Sequence, residues 1–166
     1  MLRAIALVLV LLVAPGSAAA EPPPPLAADT GVARWGWPVA APHVVVRQFV
    51  APANRYASGH RGVDLAAHDG TVYAPADGIV HFAGVVVDRP VLSIRHPAGL
   101  ISSFEPVETT LTAGDPVARG DPIGTAIQGH CSDLCLHFGV RLDGEYVSPM
   151  LYLGGLEPSV LLPTRR

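Results

Sequence analysis

The chain of 166 residues has no lysine, so all 11 of its basic side chains are arginines, and they are scattered along its length. With a formal charge of −3 and histidines neutral, it has no cluster of cations to set against phosphates, and nucleic acid is excluded as a partner. Cysteine occurs only at positions 131 and 135, which excludes a fold stapled by many disulfides. No apolar run after Ala14 approaches the roughly 20 residues that span a bilayer, so the mature protein is expected to have no membrane span.

The N-terminus has what the rest lacks. Arg3 precedes an apolar run from Ala4 to Ala14, followed by Gly16-Ser17-Ala18-Ala19-Ala20. This layout predicts a secretory signal peptide over 1–20, cleaved after Ala20, and hence a secreted or cell-envelope protein. No cysteine follows the small residues, so a lipid anchor on a new N-terminal cysteine is not supported. Loss of Arg3 moves the formal charge to −4. Residues 21–42, with Pro22-Pro23-Pro24-Pro25, read as a proline-rich linker, and Trp35 and Trp37 are expected to pack against the edge of the domain that follows. That domain is assigned to 43–154, with 155–166 as a frayed tail.

From His43 onward, short β-rich runs are punctuated by Gly, Pro and Asp, at 44–49, 62–66, 71–74, 78–87, 91–95, 100–104, 116–117, 123–126 and 135–141. The pattern predicts an all-β fold, a mostly antiparallel sandwich or open barrel with a groove. A single helical turn is expected over 148–153, with Ser148 as its cap and Pro149 in the first position. The tight Gly turns at 74–80 and 113–124 also suit a lipoyl-type barrel, but the lysine that carries its cofactor is missing.

Chemistry concentrates in two phrases, Gly59-His60-Arg61-Gly62-Val63-Asp64 and Cys135-Leu136-His137-Phe138. Residues two or four apart on a strand share a face, so His60 and Asp64 can converge on one ion. Two imidazoles and a carboxylate suffice to hold a catalytic zinc, whose fourth position stays free for water. In an oxidising compartment Cys131 and Cys135 are expected to form a disulfide. The alternative is a free Cys135 thiolate, on the face of His137, acting as a further zinc ligand.

In this joint context the chain resembles the zinc-dependent peptidoglycan endopeptidases of the M23 family, the lysostaphin and LytM-type group. That family carries an early His-x-x-x-Asp and a late His-x-His. The resemblance implies His60, Asp64 and His137 as ligands of Zn²⁺, on one face of a LytM-like all-β fold. It implies an exported metalloendopeptidase that cleaves peptide bonds of bacterial peptidoglycan. Two positions depart from the family. Cys135 stands where the first histidine of the late pair is expected, and Pro106, in Phe104-Glu105-Pro106-Val107, stands where a second assisting histidine is expected.

Hydrolysis at zinc also needs a group that moves protons. His130, in Gly129-His130-Cys131, and Glu105, beside the lost position, are the candidates for that role. A bridge between Cys131 and Cys135 would swing His130 toward the metal. The competing reading is a catalytically silent zinc-binding wall module that binds peptidoglycan or activates another cell-wall hydrolase. His96 is expected at a strand end or turn, and His43, His68 and His81 on the surface.

Overall fold

The computed structural model describes residues 35–54 and 56–154. The expectations for 1–20, for the linker before Trp35 and for 155–166 lie outside the described residues.

Among the described residues, eleven strands and one helical turn follow in chain order: β1 (Val45–Arg47), β2 (Gly62–Ala66), β3 (Thr71–Tyr73), β4 (Gly78–Val86), β5 (Arg89–Arg95), β6 (Leu100–Glu105), β7 (Val107–Glu108), β8 (Pro116–Val117), β9 (Pro122–Ala126), β10 (Cys135–Leu142), β11 (Glu145–Val147) and α1 (Met150–Leu153). The large sheet runs β1-β2-β10-β6-β5-β4-β8, with β11 also paired to β10, and the small one runs β3-β9-β7. All strand pairs are antiparallel. The large sheet is open, ending at β1 and β8, so the fold is all-β without a closed barrel.

Alternation in β10 explains why its two faces differ. Leu136, Phe138 and Val140 are wholly buried, while His137 and Gly139 take the other face. Phe138 is opposite Val63 of β2 and Phe104 of β6, and Leu136 is opposite Leu65, so one apolar row crosses three strands. Truncating Phe138 to alanine would cost about 3–5 kcal/mol. Polar residues form a parallel row on the other face, where His137 is opposite Asp64 on one side and Glu105 on the other.

Two short strands lie outside the runs predicted from sequence, β7 and β11. Asp143 and Gly144, with φ of 50° and 90°, form a two-residue turn that pairs Leu142 with Glu145. Positive φ at both central residues is the hairpin geometry that Asp-Gly favours. The helical turn has Pro149, not Ser148, at its N-cap, without a side-chain capping bond, and Gly154 at φ 73° closes it. Four residues are too few for a cap to decide stability, and burial of Tyr152 and Leu153 holds the turn instead.

The folded body also takes in residues from the stretch read as linker. Trp35 and Val39 belong to the core, 4% and 3% exposed. Trp35 donates its backbone N–H to the Tyr152 carbonyl at 2.9 Å, and its ring lies 4.6 Å from that of His96. Trp37 stacks on His43, the rings 4.6 Å apart and 5° from parallel.

Candidate metal centre

His60 is anchored before its side chain does anything. Its backbone exchanges two hydrogen bonds with Val50, each 2.9 Å, in an isolated antiparallel bridge just before β2. Its Nδ1 donates to the Gln48 carbonyl at 2.7 Å. A carbonyl can only accept, so Nδ1 carries a proton and Nε2 is the nitrogen turned inward.

Asp64 lies two residues into β2, and the β2–β10 register sets His137 directly opposite. His60 Nε2 is 3.0 Å and His137 Nδ1 2.8 Å from Asp64 Oδ1, and the two nitrogens are 3.1 Å apart. His130, in the loop between β9 and β10, brings its Nε2 to 3.0 Å from the same oxygen. These four ligand atoms all lie within 4.8 Å of one another. The Asp64 and His60 side chains are 4% and 6% exposed, while His137 and His130, at 12% and 17%, form the solvent-facing side.

Burial pushes the Asp64 carboxyl up. The hydrogen bond with His137 and the charges of His130, His137 and His60 outweigh it and hold the carboxyl below its ordinary value. The group is therefore an anion ready to ligate.

The donor set fits a divalent cation. One carboxylate oxygen has about two lone-pair sites, yet three ring nitrogens converge on Asp64 Oδ1. A tetrahedral ion with bonds of about 2.0–2.1 Å sets its ligands roughly 3.3 Å apart. The observed separations of 2.8–3.1 Å come close to that.

Cys131 and Cys135 are joined in a disulfide, with Cα atoms 6.0 Å apart. Cys135 is therefore not a thiolate ligand, and the alternative reading of it is set aside. Glu105 faces the same side as His137 but is not among the four clustered residues. His96, directly after β5, is buried rather than merely at a strand end, with Nδ1 2.8 Å from the Asp77 carbonyl and Nε2 2.7 Å from Ser102 Oγ. His43, His68 and His81 are exposed, as expected. A concavity of about 870 Å³, with Val85, Pro90, Val107, Leu111 and Ile123 in its wall, lies apart from the cluster and includes none of its residues.

Residues 58–149 match the model of peptidase family M23. The chain belongs to that family. A Mycobacterium tuberculosis protein, Rv2891, is 43% identical over 125 residues, which cover 70% of this chain and 50% of the relative. The murein hydrolase activator NlpD of Escherichia coli is 30% identical over 129 residues, 75% of this chain and 32% of NlpD. Among solved structures, the SpoIIQ–SpoIIIAH pore-forming complex contains a chain that superposes with a TM-score of 0.62 at 24% identity. That match covers 74% of this chain and 92% of the other, and it shows the fold alone. The chain spans about half the length, or less, of the curated relatives it matches here.

Two contributors to this M23 centre escaped the sequence reading. Gln48 acts through its backbone carbonyl, which carries no side-chain signal. Gly62 makes room for the His137 ring, since a Cβ there would stand 2.7 Å from His137 Nε2. Gly62 lies two positions from Asp64 on the same strand face, and that spacing was a usable signal.

Proposed function

We propose that this M23 domain is an exported zinc metalloendopeptidase that cleaves peptide bonds of bacterial peptidoglycan. The observation that carries the reading is the convergence of His60 Nε2, Asp64 Oδ1 and His137 Nδ1 within 2.8–3.1 Å of one another. Family membership and the wall-related relative NlpD support the substrate class.

Zinc bound there supplies a Lewis acid that polarises a peptide carbonyl and lowers the pKa of water. Gln48 keeps His60 in the tautomer whose Nε2 lone pair faces the ion. Asp64 contributes the negative charge, and His137 is aimed by the gap over Gly62. Substrate approaches from the side of His130 and His137, the more exposed pair. Proton transfer falls to His130, with Glu105 as the more distant candidate.

A second reading has an observation of its own. Pro106 and Cys135 occupy both positions where the family's assisting histidines are expected, which favours a silent zinc module that binds peptidoglycan or activates another cell-wall hydrolase. Incubating the zinc-loaded protein with purified peptidoglycan and identifying new peptide ends by mass spectrometry separates the two. New ends that vanish in His60→Ala support the enzyme. No new ends, with faster digestion by an added wall hydrolase, support the activator.

A further inference from the structure

We infer that His130 is a fourth protein ligand that closes the metal centre at rest, and that the Cys131–Cys135 disulfide holds it in place. This rests on the reading of His60, Asp64 and His137 as the other ligands. It goes beyond that reading because it makes the resting site latent.

The spacing of His130 from the other donor atoms, all within 4.8 Å of one another, matches a ligand. A group that moves protons through a water stands one hydrogen bond, about 2.6–3.2 Å, beyond that water. It is then about 4–5 Å from the ion, given ion–oxygen bonds of roughly 2 Å. Two ligands of one tetrahedral ion are roughly 3.3 Å apart. His130 Nε2 is 3.0 Å from Asp64 Oδ1, the same separation that His60 Nε2 keeps from that oxygen. The His130 ring centroid is also 5.0 Å from that of His137, at 57°, so the two imidazoles share the solvent-facing side of the cluster.

Covalent structure explains how an irregular loop holds a ring so close. His130 directly precedes Cys131, whose partner Cys135 opens β10 two residues before His137. Cys135 and His137 share a strand face, opposite Ala66 and Asp64. The disulfide therefore ties the His130 loop to the strand that carries a ligand. The Leu134 carbonyl adds a second tie by accepting from the Ala67 N–H at 3.1 Å.

Four protein ligands make the closed type of zinc site, whereas a catalytic site keeps one position open. His130 must leave before a peptide carbonyl or water can reach that position. The acid/base role assigned above then belongs to the displaced ring, whose lone pair is free only after displacement.

X-ray absorption at the zinc edge of the zinc-loaded full chain tests this without any activity measurement. The expected result is three imidazoles in the parent, from His60, His130 and His137, and two in His130→Ala with zinc retained. In the cobalt-substituted proteins, azide should change the visible spectrum of His130→Ala and leave that of the parent unaltered. The double variant Cys131→Ser with Cys135→Ser should bind azide as His130→Ala does. Two imidazoles in a zinc-containing parent would overturn the role of His130 while leaving the three-ligand reading intact. Three imidazoles and no azide response in the double serine variant would overturn the role of the disulfide. A parent that holds no zinc would overturn both the inference and the reading beneath it.

Discussion

The imidazole of His137 occupies the space over Gly62 that a side chain would fill, with Nε2 and Cε1 at 2.7 and 2.8 Å from the position of a Cβ. The same Cβ would collide with the Phe138 carbonyl oxygen. Gly62→Ala should therefore destabilise the fold by about 1–3 kcal/mol through overpacking. It should also turn the His137 ring and weaken zinc binding roughly 10- to 100-fold, the usual effect of losing ligand orientation. Urea unfolding and a competitive chelator titration measure the two effects separately.

Removing a proposed ligand should do more than misalign one. His60→Ala, Asp64→Ala and His137→Ala are each expected to lose zinc by more than the roughly 10- to 100-fold associated with an outer-shell partner. His96→Ala should keep it, since His96 contacts Asp77, Ser102 and Trp35 instead. Metal content after dialysis is the measurement, and stoichiometric zinc in a variant lacking all three ligands would remove the centre from consideration.

Loss of a positioned acid/base group lowers hydrolysis by about 10²- to 10⁴-fold. His130→Ala should lose that much wall-cleaving activity and still hold zinc, with Glu105→Gln the milder change. A dead Glu105→Gln beside a fully active His130→Ala would transfer the role to Glu105.

Val87 offers a stability test far from chemistry. It sits at the turn between β4 and β5 with φ 61° and is 97% exposed, so its branched side chain is strained and packs on nothing. The left-handed strain, of order 1–3 kcal/mol, exceeds the roughly 0.5–1 kcal/mol that glycine costs in chain entropy. Val87→Gly should raise the unfolding free energy by up to about 1 kcal/mol, read from the urea midpoint at unchanged slope.

His96 predicts an acid-sensitive term. Burial lowers its pKa below 6.5, against the opposing hydrogen bond and field of Asp77. Between the lowered folded value and 6.5 the unfolded chain binds more protons, so stability rises with pH there and falls as pH drops through that window. The slope from this one group cannot exceed about 1.4 kcal/mol per pH unit. His96→Gln should be less stable at pH 8 yet lose less between pH 7 and 5 than the parent, and parallel profiles would contradict the assignment.

Most of the fold was legible because burial leaves a local trace. The runs at 62–66 and 116–117 coincide with β2 and β8, since Gly, Pro and Asp punctuate them on both sides. Boundaries shifted where punctuation was missing. β5 begins at Arg89 because the turn before it is made by Val87 and Asp88, and Val87, which takes the positive φ, does not advertise a turn, while Pro90 sits inside the strand. Asp143-Gly144 did advertise one, and β11 was there to be found. The tryptophans were assigned to an edge, yet Trp35 is core, because sequence shows that a residue is apolar and not which gap it fills.

The amino-acid order by itself determined that His60, Asp64 and His137 have the chemistry of metal ligands and that Cys131 and Cys135 lie close enough to join. Alternation along a strand is local, so a face can be read from spacing alone. Register is not local. That Asp64 lies opposite His137, 73 residues away, follows from pairing β2 with β10, which depends on how Val63, Leu65, Leu136 and Phe138 bury together on the other face. The place of His130 depended on the fold in the same way: its loop is joined by the disulfide to the first residue of β10, and in that fold its ring lies 3.0 Å from Asp64.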